Sequence, residues 1–155
     1  MDNPFEGLQH DQDFATRATD MLKERKLLEE KRRQKRDTIY SMYSPVVNEV
    51  LDQLIAACRP GVWKRDSALE CTYCCHIRWF VGPEEKFHDP YVEHHVVRRI
   101  IEVELEQNND CDPLGFKITN HEALSRIVHV GLTREDLIRG VKEAFTLPVT
   151  VRPAA

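Results

Sequence analysis

The stretch that decides the fold is Leu69-Glu70-Cys71-Thr72-Tyr73-Cys74-Cys75-His76-Ile77-Arg78-Trp79-Phe80-Val81. Every second residue is apolar or cysteine, with Leu69, Cys71, Tyr73, Cys75, Ile77, Trp79 and Val81 on one side and Glu70, Thr72, Cys74, His76, Arg78 and Phe80 on the other. That period of two predicts one long strand with one buried face. A buried strand face needs a cover, and the best candidate lies just upstream. Tyr40, Tyr43, Val47, Val50, Leu54 and Ala57 recur at alternating spacings of three and four, widened by Val46, Leu51 and Ile55. This is the apolar stripe of a core-facing helix. Ser44-Pro45 has the form of an N-cap followed by an N1 proline and predicts a break or kink there, and Arg59-Pro60-Gly61 ends the helix.

Downstream, Gly82-Pro83-Glu84-Glu85 turns the chain. The alternation Ile101-Glu102-Val103-Glu104-Leu105-Glu106 makes residues 99–106 read as strand, with a helical turn allowed near residues 91–95. Residues 108–115 read as a hairpin loop leading to a short strand at 116–118. Two helices are expected next, one over residues 121–129 capped by Asn120, the other over 134–145 capped by Thr133, with Gly131 between them. The fold class is therefore α+β: a long charged N-terminal helical arm, a small antiparallel sheet and a C-terminal helical hairpin. The expected organisation is a tail at 1–10, an arm at 11–43, an α+β domain at 44–146 and an extended tail at 147–155.

The 155 residues, 41% hydrophobic and 31% charged, suffice for one domain with a core, and no apolar run approaches the length of a membrane span. The acidic start, Met1-Asp2-Asn3-Pro4-Phe5-Glu6, has no apolar signal region, and five cysteines are an odd number. Together these predict an intracellular, reducing compartment, cytoplasmic or nuclear, and free thiols rather than a disulfide scaffold. The signatures of phosphate-binding loops, dinucleotide folds, zincins and serine hydrolases are absent, which argues against an enzyme and yields no catalytic residue.

Charge is segregated along the arm. Residues 1–22 hold five acids against Arg17, whereas residues 23–36 hold eight Lys or Arg against three Glu. Phe14, Ala18, Met21 and Leu28 fall on one helical stripe, interrupted at Arg25, with too few apolar neighbours to join the main core. Such a stripe suits an intermittent coiled coil or docking helix, and predicts a non-enzymatic interaction or assembly protein, a subunit of a larger complex or a homo-oligomer, that docks through this helix and its tails. A second reading is an accessory nucleic-acid binder whose Lys31, Arg32, Arg33, Lys35 and Arg36 neutralise phosphates. A third is a small metal-binding protein, with zinc on Cys71, Cys75 and His76 and a fourth ligand from His88, His94, His95 or Cys111. An uninterrupted strand opposes this third reading, because a CxxC knuckle needs a turn. Bulky Ile127 and the acidic Glu135-Asp136 likewise oppose a DNA-reading helix-turn-helix at the C-terminus.

Overall fold

The computed structural model describes residues 3–6, 11–71, 75–86, 95–122 and 126–146. A helix α1 (Asp11–Cys58) leads into six strands, β1 (Trp63–Cys71), β2 (Cys75–Lys86), β3 (His95–Val97), β4 (Ile101–Gln107), β5 (Pro113–Asn120) and β6 (Arg126–Val130), and a helix α2 (Arg134–Phe145) follows. The strands form an antiparallel sheet in the order β1-β2-β4-β5-β6, with β3 beside the far end of β2. The α+β class holds, as does the sequence of arm, sheet and closing helix.

Four expectations are corrected, the break at Pro45 among them. The chain does not turn at residues 82–85, which lie within β2 and pair with β1 and then β3. Residues 69–81 are not one strand: β1 and β2 are a hairpin whose register pairs Cys71 with Cys75, Leu69 with Ile77 and Ser67 with Trp79. Antiparallel partners point to the same face. Because Cys71 and Cys75 are an even number of residues apart, the alternation carries through the reversal unbroken, and a period-two pattern alone cannot reveal the turn. The C-terminal helical hairpin is also wrong, since its second helix is α2 but residues 126–129 of the first lie in strand β6. Asn120 does accept a hydrogen bond from the Glu122 backbone N–H, which is the local signal that suggested a cap, but the bond closes an Asx turn at a strand end. The Asn120 carboxamide then donates to the Ala144 carbonyl and ties that turn to α2.

Helix α1 runs unbroken through Pro45. Ser44 is no cap; it is buried, and its hydroxyl accepts the Trp79 indole N–H at 3.2 Å. Pro45 itself and Ser41, whose carbonyl loses its helical donor to the proline, are both exposed, so water can serve that carbonyl.

The core lies between one face of the sheet and the two helices. Val47, Val50 and Leu51 of α1 and Leu137, Val141 and Ala144 of α2 cover Ile77, Trp79, Val81, Ile101, Val103, Leu105, Phe116 and Ile118. Tyr40 stacks on Trp79 at 5.8 Å, and Tyr43 meets the ring of Phe116 edge-on at the same separation. These are geometries that add to simple area burial. Gly82, within β2, is required where the connection between β3 and β4 approaches the strand: a Cβ there would lie 1.4 Å from the Arg98 carbonyl oxygen. Thr133 caps α2 as expected, its hydroxyl accepting the Asp136 N–H at 3.1 Å. The helical turn expected near 91–95 and the extended tail at 147–155 fall outside the described residues, apart from His95, which opens β3.

Candidate functional site

The 48 residues of α1 extend about 70 Å at 1.5 Å per residue, far more than the sheet can cover. Burial begins at Ile39. Between Asp13 and Thr38 every residue is exposed except the half-buried Ala18, Lys35 and Arg36. Three of the four expected partner-binding residues are therefore bare: Phe14 is 75% exposed, Met21 69% and Leu28 57%. Leu22 and Leu27 flank them at 57% each.

The direction of the stripe follows from where the helix is anchored. Ile39 enters the core, Lys35 donates to the Asp110 carbonyl and to Asp112 Oδ1, both at 2.6 Å, and Arg32 lines a cleft at the sheet edge. Counting back from these by alternating threes and fours reaches Leu28, Arg25, Met21, Ala18 and Phe14. The bare stripe is thus the outward continuation of the face that packs on the domain.

The Lys35 anchor rests on an ordered loop. Asn108 Oδ1 accepts the backbone N–H groups of Asp110 and Asp112, and Cys111 takes a positive φ of 63°. The hydrogen bond from Lys35, aided by Asn108, holds the Asp112 carboxyl below the usual carboxylate range, and the same bond holds the Lys35 ammonium above its ordinary value.

The expected basic cluster is not one surface. Lys35 is paired with Asp112, Arg36 forks onto Asp37, Arg32 turns to the cleft, and Lys31 and Arg33 are exposed on opposite sides of the helix. Of the metal candidates, Cys71 and Cys75 face each other in the hairpin register, so the chain does reverse between them and the uninterrupted-strand objection falls. His76, next in β2, lies 3.3 Å from Glu104. Cys111 is buried and Cys58 exposed. Among the described residues no three His, Cys, Asp or Glu side chains are grouped as a metal would require.

A second surface was only half legible in the sequence. The sheet face turned away from the helices carries Glu102, Glu104 and Glu106 of β4, and the register surrounds them with bases from other strands. His121 meets Glu102 at 3.0 Å, with Arg78 and Arg99 at 3.6 and 3.7 Å. Glu104 has His76 at 3.3 Å and Lys117 at 3.9 Å, and Glu106 is hydrogen-bonded by His129. The alternating glutamates announced a polar face, but their histidine partners are 19 to 28 residues distant and only strand pairing brings them together. Where this face meets the arm, a cleft of about 370 Å³ is bounded by Arg32, His76, Glu104, Glu106, Gln107 and Lys117. Both polar atoms of the Gln107 carboxamide are buried without a hydrogen-bond partner.

Among the described residues no helix is long and apolar enough to cross a membrane. Set against family models, curated proteins and solved structures, the chain matches none of them.

Proposed function

We propose that this chain is a non-enzymatic docking or assembly subunit that engages protein through the stripe Phe14, Ala18, Met21 and Leu28 on its projecting helix. The observation that carries the reading is the bare length of α1, about 25 residues in which large apolar side chains lie more than half exposed along one face. Most helical stability comes from packing of an apolar face, and an exposed apolar stripe on a projecting helix gains buried area and order when covered. The charged sheet face supports the same reading from the other side. Each of its three glutamates is engaged by a histidine, arginine or lysine within the chain, and the buried one, Glu102, is held by His121, Arg78 and Arg99 together, so the charges of this face are paired internally.

The test is affinity capture with the whole protein and with Met21→Glu/Leu28→Glu, each with and without nuclease. The docking reading expects a defined protein that survives nuclease and is lost with the variant. Identical partners for both proteins contradict it, and loss of every partner on nuclease treatment transfers the role to Lys31–Arg33 and its neighbours as a nucleic-acid surface.

A further inference from the structure

Resting on the docking reading, the pattern of charge on the arm points to one occupant of the stripe, and we infer that it is the arm of a second copy of this chain, lying antiparallel. Within residues 11–36 the sign of the charge changes at the midpoint. Residues 11–22 carry three Asp against one Arg, and residues 23–36 carry eight Lys or Arg against three Glu. Laid antiparallel in full overlap, two arms set each acidic half on a basic half. Laid parallel, they stack the two strongly basic halves on each other, and like charge at contact distance opposes association. Antiparallel helices also place opposite ends of their dipoles side by side.

The stripe has the same symmetry. Its spacing of four, three, four, three makes Phe14, Met21, Leu28 and Lys35 one set of heptad positions and Ala18, Arg25 and Arg32 the other. In an antiparallel pair one set faces the other, so that Ala18 meets Leu28 of the second copy, Met21 meets Arg25 and Phe14 meets Arg32. The small residue lies opposite a large one. Two of its interruptions, Arg25 and Arg32, have aliphatic stems that can pack on the apolar residue opposite. In this register Asp13 lies level with Arg33 and Asp20 level with Lys26, all four on the outer faces of the helices, so their attraction acts across a distance that salt screens. Because the stripe continues the face that covers the sheet, the second arm lies in line with the domain, its acidic first turns reaching the sheet edge where Arg32 and Lys35 stand.

The contact is small. A strip about 39 Å long and about 10 Å wide covers roughly 400 Å² on each partner, about half of a standard interface. The association is therefore weak, concentration-dependent and sensitive to salt.

Sedimentation velocity on the full chain, from about 1 to about 200 μM, brackets the range expected for an interface below standard size. It should show dimers at low ionic strength that dissociate as salt rises from about 50 to about 500 mM, as the screening length shortens. Met21→Glu/Leu28→Glu, at exposed positions, should weaken the dimer by about tenfold or more while leaving the circular dichroism of the folded domain unchanged. Zero-length carbodiimide cross-linking should join Asp13 to Lys31 or Lys35. In a single helix Asp13 and Lys31 are about 27 Å apart, so such a link must be between copies. A monomer at every concentration and salt overturns the second copy as occupant; the docking reading then stands or falls by whether the same variant loses its captured protein. A dimer that ignores the variant, or one with links only between nearby-numbered residues, overturns the antiparallel arm pair.

Discussion

The two halves of α1 share one continuous backbone and one stripe, yet from residue 39 onward the stripe is core and before residue 35 it is bare. Leu51 has no exposed surface and Leu28 has more than half of its own. Residue type does not separate them. What differs is the presence of a sheet beneath, since the strands end where the loop at 108–112 takes hold of Lys35. The same residue type is thus core at one end of a helix and bare at the other. Amphipathicity marks a face that wants cover without saying whose.

The largest test of that contrast is the pair Leu51→Ala and Leu28→Ala. The first opens a cavity under the sheet and should cost about 2–5 kcal/mol in denaturant unfolding, and the second should stay within about 0.5 kcal/mol. Equal costs would mean that the arm folds against something within the chain. Next in size is Ser44→Ala, which strips the Trp79 indole N–H of its buried acceptor and should cost about 1–3 kcal/mol. Ser41→Ala, one turn earlier and exposed, removes only a bond to the Asp37 carbonyl and should be close to neutral. Smallest is Asp112→Asn. It should leave the midpoint of global unfolding in place while loosening residues 30–38, read as faster amide exchange there. The pH dependence of this anchor follows from its two shifts. The depressed Asp112 carboxyl contributes above its ordinary range and loses that contribution as pH falls through its lowered value. The raised Lys35 ammonium contributes below its ordinary range and loses that as pH rises through its higher value. Exchange in residues 30–38 should therefore keep the protection due to the anchor unchanged across neutral pH and lose it only at the acidic and alkaline extremes.

Much of this architecture was legible, and the failures have physical causes. The stripe from Tyr40 to Leu54 was readable because a buried helix face repeats at three and four residues. The strand at Ile101–Gln107 was readable because one face is aliphatic and the other glutamate. The β1–β2 reversal was hidden by an even spacing that preserves parity. Strand β6 was hidden by Asn120, whose side chain makes the same kind of bond in an Asx turn as in a helix cap. The unbroken passage through Pro45 was hidden because what tolerates it, the exposure of Ser41 and Pro45 together with the buried bond of Ser44 to Trp79, is set by tertiary packing. The stripe of the arm was visible in sequence as a pattern; its bareness depends on where the sheet ends. The histidine partners of the three glutamates depend in the same way on strand register.

The central claim is that α1 has one half owned by the fold and one half reserved for a partner, and amide hydrogen exchange along this helix tests it most directly. At low concentration, residues 39–58 should exchange at rates set by global unfolding while residues 13–34 exchange orders of magnitude faster. Raising the concentration at low salt should add protection to 13–34 alone. Protection that is uniform along the helix and indifferent to concentration would contradict the account.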